Sequence, residues 1–324
     1  MNIAITDYSF PDLKLEQAVL EPLGHQIVAW KEKRSPAELT ELVRSADAVI
    51  TQFAPVTAEV IQSMERAKVI VRYGIGVDNV DLDAARERNI PVCNVPDYCI
   101  DEVADQTLAF LLAATRQVVP NSVAVQSGNW GLAVPLTQMQ TLCNLTVGVV
   151  GLGRIGREVV RRLMPFKCQV LVFDPVTPPG QIVDAGCQPA SLEQILSGSD
   201  VITLHCPSTA ETRHMLNRES LSQTRRGVVI VNLSRGTLID SDALVEALQS
   251  GQVSAAALDV FDPEPIPAGH PLLTLPNVIL AAHIASCSVP AVKRLRETAA
   301  RLAAMALAGE SLPNVVNGVS VVPK

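Results

Sequence analysis

Between the apolar run Val147-Gly148-Val149-Val150 and the helix-forming Arg157-Glu158-Val159-Val160-Arg161-Arg162-Leu163 stands Gly151-Leu152-Gly153-Arg154-Ile155-Gly156. A strand, a glycine turn and a helix in that order restrict the fold severely. The first glycine permits the tight turn, the second lets the backbone approach a pyrophosphate, and the third allows close packing of helix on strand. Phosphates would then sit over the helix N-terminus, against Arg154 and Ile155. A second β-branched run, Val170-Leu171-Val172-Phe173, ends at Asp174, eighteen residues beyond Gly156, where a carboxylate can accept a hydrogen bond from a ribose 2′-hydroxyl. Its charge repels a 2′-phosphate, and Pro175-Val176-Thr177 supplies no Arg or Lys to receive one, so NAD is the expected cofactor rather than NADP.

At 324 residues the chain exceeds what one core usually supports, which predicts two domains. Aromatics are only 3% against 48% hydrophobic residues, so the cores are aliphatic, as buried parallel strands tend to be. Short apolar runs at Ile3-Ala4-Ile5, Gln26-Ile27-Val28, Ala48-Val49-Ile50, Val69-Ile70-Val71 and Val92-Cys93-Asn94 alternate with helical patterns, a small α/β unit of its own. Residues 101–119 are apolar on nearly every side after an acidic first turn and read as one helix buried between domains or subunits. Residues 120–142, with Trp130 and no clear period, read as a long connection or arm. Later runs at 201–204, 228–231, 254–258 and 278–280 lead into polar residues, where open α/β sheets bind ligands. A helical pattern from Val289 to Leu307 precedes an extended tail expected to return to the first unit. The expected architecture is α/β, with two Rossmann-like domains built on doubly wound parallel sheets. A discontinuous substrate domain would take residues 1–98 and 290–324, and an NAD-binding domain residues 99–289.

A net charge of −7 argues against a nucleic-acid-binding surface. The seven cysteines are odd in number and make no C-x-x-C, the usage of reduced cytoplasmic thiols. The N-terminus has no basic region followed by a long apolar stretch, and no apolar run approaches eighteen residues, so neither export nor a membrane span is expected. A metal site is not expected either, for want of H-E-x-x-H, a Cys cluster or a dense carboxylate loop.

Three residues at or just past strand ends carry the chemistry: Arg235 after Val231-Asn232-Leu233-Ser234, Glu264 after Phe261-Asp262-Pro263, and His283 after Ala281-Ala282. Reducing a keto acid by hydride needs three such functions. A guanidinium clamps the carboxylate and polarises the adjacent carbonyl, an imidazole exchanges the proton, and a carboxylate orients that imidazole and favours its charged form. Earlier in the chain, Gly74-Ile75-Gly76 lacks bulky side chains at its glycines and would expose backbone N–H groups to a substrate carboxylate, with Arg72 a second anionic contact. A plain turn into a helix is the other reading of that loop.

Taken together these residues resemble the D-isomer-specific 2-hydroxyacid dehydrogenase family over nearly the whole chain. The resemblance rests on Gly74-Ile75-Gly76-Val77-Asp78-Asn79-Val80-Asp81, the glycine turn with Asp174, His205-Cys206-Pro207, Asn232-Leu233-Ser234-Arg235-Gly236, Leu258-Asp259-Val260-Phe261 and His283. It implies that Arg235, Glu264 and His283 form the catalytic set, that Asp259 lies near the nicotinamide carboxamide, and that Arg72, Tyr73, Gly74, Ile75 and Gly76 meet the substrate. His205 and Pro207 belong to the loop near the adenosine, where His205 reads equally as structure and as cofactor contact. The activity implied is NAD-dependent interconversion of a small 2-keto acid and its D-2-hydroxy acid, the D configuration coming from the resemblance alone. The apolar helix and the Trp130 arm resemble the family's dimer surface, which implies a homodimer. Ala282 departs from the proline usual before the histidine. Two rivals stay open. One is a short-form D-3-phosphoglycerate dehydrogenase, with Arg72 meeting a phosphate. The other is an NAD(H)-responsive binding scaffold, because Val92-Cys93-Asn94-Val95-Pro96 and Glu102 to Leu108 are similar to the C-terminal-binding-protein corepressors; the aromatic residue those proteins carry after the histidine is missing in Ile284-Ala285-Ser286-Cys287.

Overall fold

The β-branched runs pair into two separate parallel sheets in a computed structural model that describes residues 1–320. Contacts divide the chain into two units, Met1–Tyr98 with Ser288 onward, and Cys99–Cys287. The last four residues of the 290–324 segment lie outside the described residues.

In the first unit β1 (Asn2–Ile5), β2 (Gln26–Ala29), β3 (Ala48–Thr51), β4 (Ile70–Arg72) and β5 (Val92–Cys93) lie in the order β2-β1-β3-β4-β5, a doubly wound flavodoxin-like sheet. Ile3, Ala4 and Ile5 stand opposite Ala48, Val49 and Ile50, and all six are buried, as expected of central strands covered on both faces. The edge strand β2 alternates between exposed and half-buried residues instead. The other edge, β5, is covered by the returning tail. Val316 N–H donates to the Val92 carbonyl at 2.8 Å, and the Asn317 side chain accepts from Val92 N–H at 3.1 Å while donating to the Ile90 carbonyl at 2.8 Å. A covered edge has no open row of amides on which another chain can pair.

The second unit holds β6 (Thr146–Val150), β7 (Gln169–Phe173), β8 (Gln188–Pro189), β9 (Val201–Leu204), β10 (Val228–Asn232), β11 (Val253–Leu258) and β12 (Val278–Leu280), ordered β12-β11-β10-β9-β6-β7-β8. The chain runs outward from β6 to β8, then returns to the other side of β6 with β9. That reversal makes the carboxyl ends of β6 and β9 the switch point where such sheets bind ligands.

Two elements differ from expectation. The apolar stretch 101–119 is not one helix: Ile100–Thr115 ends, Gln117 adopts φ 53°, and a second helix, Val118–Gln126, leaves at 66° to the first. Pro120 explains the break. It has no N–H to donate to the carbonyl of Arg116 and its ring would strike that carbonyl, whereas in the first turn of a new helix neither matters. The two-residue β8 escaped the sequence reading because it contains Pro189 and pairs only at the sheet edge. No single helix among the described residues is long and apolar enough to cross a membrane.

Candidate active site

Gly151 closes the β6 end with φ 96°, a left-handed conformation natural to glycine. A Cβ there would also lie 2.7 Å from the Cys206 amide nitrogen and from the His205 carbonyl carbon, so the β9 end passes directly against it. A Cβ on Gly156 would lie 2.1 Å from the Gly151 carbonyl oxygen, whereas one on Gly153 would meet nothing within 4 Å. Gly153 therefore keeps open the space before the helix Arg154–Leu163, where backbone amides face outward and Arg154 is exposed. These residues fit a dinucleotide whose pyrophosphate rests on that helix end.

Asp174, just past β7, holds the neighbouring loops together. Its Oδ2 accepts from Leu152 N–H at 2.6 Å, and its Oδ1 from Val176 and Thr177 N–H at 2.9 and 2.8 Å. Burial works against the charge, yet the three amides hold the carboxyl below its ordinary range. A carboxylate has about four lone-pair sites, and the Thr177 side chain hydrogen-bonds Asp174 besides the three amides, so a ribose hydroxyl would take the place of that side-chain contact. Asp174→Ala is expected to weaken NADH binding, narrow the gap to NADPH and lower stability by about 1–3 kcal/mol through the orphaned amides. Fluorescence titration with both cofactors and thermal unfolding check this. Equal use of NAD and NADP by the parent chain would refute the selective role of Asp174.

His205 is half-buried with Nε2 2.9 Å from Thr203 Oγ1, and burial pushes its imidazole down to about 4. It is neutral at physiological pH, which suits a neutral loop member rather than an acid catalyst. Pro207 is exposed, its carbonyl accepting from Thr212 Oγ1 at 2.7 Å.

Arg235, Glu264 and His283 meet at the ends of β10, β11 and β12. Asn232 folds the first loop, accepting from Ser234 N–H at 3.0 Å and donating to the Arg235 carbonyl at 2.8 Å. Gly236 then packs on backbone, for a Cβ there would lie 2.0 Å from the Phe261 carbonyl carbon. That close approach brings the Arg235 loop onto the Glu264 loop. Glu264 Oε1 accepts from Phe261 N–H at 2.9 Å, and Oε2 lies 2.8 Å from His283 Nδ1. Burial alone raises the Glu264 carboxyl; the His283 ring, the Phe261 amide and the Arg235 charge outweigh it and hold the carboxyl below its usual range. The His283 and Glu264 side chains keep 29% and 31% of their exposure, enough for a small molecule to reach the ring. With Nδ1 engaged by the carboxylate, proton exchange falls to Nε2.

The fully buried Asp259 is not merely a neighbour of the site. Its carboxylate accepts from Ile284 and Ala285 N–H at 2.9 and 2.8 Å, and its carbonyl from His283 N–H at 2.7 Å. His283 sits between those bonds with φ 53°, a conformation that costs a non-glycine residue about 1 kcal/mol. Asp259 thus sets the backbone that aims the imidazole. The family resemblance implies only that Asp259 lies near the carboxamide, not this hold on the backbone.

In the first unit the loop after β4 presents amides for a geometric reason. The Gly74 carbonyl accepts from Val95 N–H at 2.9 Å, and the Ile75 carbonyl from Asn94 Nδ2 at 2.6 Å. Across a planar trans peptide the N–H points opposite to the C=O, so the Ile75 and Gly76 amides face away from Asn94 and Val95. The sequence marks Asn94 as a strand end and as part of the corepressor-like segment, not as a partner of the glycine loop; its amide side chain next to an apolar run is the available signal. Arg72 is buried, its guanidinium carbon 6.0 Å from the Phe53 ring centroid and its Nη1 1.2 Å from where a Gly74 Cβ would stand. Gly74 is glycine for φ 149°, and any side chain there would also have to displace the Arg72 guanidinium. Tyr73, expected against the substrate, turns its ring into the core instead and donates its hydroxyl to Glu16 Oε1 at 3.0 Å.

The NAD-binding domain of the D-isomer specific 2-hydroxyacid dehydrogenases matches residues 108–285, more than half of the chain. The chain belongs to the D-isomer-specific 2-hydroxyacid dehydrogenase family. Within it, D-3-phosphoglycerate dehydrogenase of Mycobacterium leprae is 37% identical over 306 residues, 94% of this chain and 57% of that protein. The chain thus spans little more than half the length of such relatives. Glyoxylate reductase of Korarchaeum cryptofilum is 37% identical over 293 residues, 89% of this chain and 88% of that one. Among solved structures, D-lactate dehydrogenase from Aquifex aeolicus, complexed with NAD and lactic acid, is similar at TM-score 0.86 and 29% identity over 96% of both chains.

Proposed function

We propose that this chain is an NAD-dependent dehydrogenase interconverting a small 2-keto acid and its D-2-hydroxy acid. The observation that carries the reading is the Glu264–His283 pair, 2.8 Å apart, with the Arg235 charge acting on the same carboxylate at the strand ends of an NAD-binding domain. NADH, when bound, supplies the hydride taken up by the keto carbon. Arg235 clamps the substrate carboxylate and polarises the adjacent carbonyl. His283 gives a proton to the carbonyl oxygen from Nε2, and Glu264 stabilises the imidazolium while fixing its ring. In oxidation the neutral imidazole takes the same proton back. The outward amides of Ile75 and Gly76 suit a substrate carboxylate.

NADH oxidation measured across glyoxylate, pyruvate, hydroxypyruvate, phenylpyruvate and phosphohydroxypyruvate tests this. Turnover of one or more supports it, and none with any of them rejects it in favour of a binding scaffold. A marked preference for phosphohydroxypyruvate would select the short-form phosphoglycerate dehydrogenase, the reading favoured by Arg72 beside the glycine loop.

The partner we assign is a second copy of this chain. The helix Val118–Gln126 buries none of its own residues, and beyond it Trp130 is 94% exposed with Leu132 and Leu136 also exposed, a contiguous stretch of sequence rich in uncovered apolar side chains. Sedimentation should find a dimer, and Trp130→Glu combined with Val123→Glu should give monomers; a parent chain that sediments as a monomer would refute it. A cytoplasmic location suits the thiols, for all seven cysteines are free and Cys143 and Cys287 are exposed, where an oxidising compartment would act on them.

A further inference from the structure

The first unit buries a complete ion pair far from Arg235, Glu264 and His283 in sequence. Glu16, on the helix Lys14–Leu20, is fully buried, and Arg296, on the helix Val289–Ala308, is 5% exposed. The guanidinium grips the carboxylate with two bonds, Nε to Oε1 at 2.8 Å and Nη2 to Oε2 at 2.7 Å, and Nη2 also donates to the Asp12 carbonyl at 2.5 Å. Its carbon lies 4.8 Å from the Phe10 ring centroid, and Phe10 meets the Tyr73 ring edge to face at 5.3 Å. The Tyr73 hydroxyl completes the cluster on Glu16 Oε1.

A buried ion pair is a poor source of stability, because desolvation cancels much of the attraction and apolar groups of similar volume usually serve as well. Its use is better sought in what it orients. Here that is Tyr73, the residue between β4 and the glycine loop. Tyr73 is pinned at both ends, its N–H donating to the Thr51 carbonyl at 2.8 Å and its hydroxyl to Glu16. The next peptide planes are those of Gly74, Ile75 and Gly76, whose amide directions are the loop's functional content. Burial first, and then the Glu16 charge, keep the phenol far from ionising, so it remains a donor at any working pH.

We propose that Glu16 and Arg296 are positioning residues for the substrate carboxylate: the pair anchors the Tyr73 hydroxyl, and Tyr73 in turn holds the start of the loop in the place from which Asn94 and Val95 turn the Ile75 and Gly76 amides outward. This rests on the reading above that the loop receives the carboxylate of a keto acid.

Tyr73→Phe removes the anchor while keeping the ring on Phe10. Losing one hydrogen bond to a charged group should raise KM for the keto acid roughly five- to tenfold, with kcat within about twofold and NADH affinity unchanged. Glu16→Leu with Arg296→Met replaces the pair by apolar groups of similar volume, which keeps the fold and should raise KM in the same way. Amide hydrogen exchange at Tyr73 and Gly74, whose N–H groups are bonded to the Thr51 and Arg72 carbonyls, followed by mass spectrometry, should accelerate in both variants while that of 151–156 does not. KM and exchange both at parent values in Tyr73→Phe would overturn the proposal. Faster exchange with an unchanged KM would also overturn it, and would locate the failure in the loop's role as carboxylate receiver. A parent chain that turns over no keto acid removes the functional reading itself, and the exchange data then report separately whether Glu16 and Arg296 order the loop.

Discussion

His283→Ala is expected to lower turnover by about 10²–10⁴-fold, the usual worth of general acid-base catalysis, while NADH still binds. Reduction needs the protonated ring and oxidation the neutral one, so the parent chain should reduce keto acids best at lower pH than it oxidises hydroxy acids. Glu264 holds the ring by Nδ1, and its carboxyl lies below its ordinary value, so it stays anionic throughout the neutral range. Its share of native stability is present above about 4.5, the unfolded value, and is lost as the pH falls through the lower folded value. Glu264→Gln removes the anion that favours imidazolium, and the alkaline limb of the reduction profile should move toward acid. Steady-state pH profiles in both directions, with NADH fluorescence titration, measure all of this. Near-parent turnover in His283→Ala, or an unmoved profile in Glu264→Gln, would remove the pair from the mechanism.

Arg235→Lys keeps the charge and should still lose about 10–100-fold in kcat/KM for the keto acid, because an ammonium cannot make the planar two-bond contact. NADH binding should hold, since Arg235 lies at the end of β10 and the glycine turn at the end of β6. The Arg235 backbone is shaped by Asn232 and by the packing of Gly236 on Phe261, neither of which the substitution touches. A lysine variant with parent kinetics would place the clamp elsewhere.

The strands and the α/β class were legible in the sequence because β-branched runs report on burial locally, and the glycine turn with Asp174 was legible because its parts are close in sequence. Arg235, Glu264 and His283 could be singled out by chemistry and resemblance. What brings them together could not: Gly236 meets Phe261 across two strands, and Asp259 reaches past β12 to hold Ile284 and Ala285. Tyr73 shows the same limit. A tyrosine beside a glycine loop reads as a substrate contact until Glu16 and Arg296, distant in the chain, are seen to draw its hydroxyl inward. Pro120 marks an end to the helix expected over 101–119, but not that the chain turns at Gln117 and takes the proline into the first turn of a second helix, so the break lies earlier than the sequence implies.

The separation of 280 residues between Glu16 and Arg296 also orders events during synthesis. At about 5–20 residues per second, a ribosome delivers Arg296 roughly 15–60 s after Glu16. Throughout that interval a carboxylate destined for the interior has no counter-charge, so the first segment to be made cannot close around it. Residues 99–287, being contiguous, face no such wait. The N-terminal unit is thus the last to be completed although it is the first to leave the ribosome. Limited proteolysis of a released chain truncated after Cys287, which lacks Arg296, should find Cys99–Cys287 protected and residues 1–98 cleaved, the reverse of a simple N-to-C order.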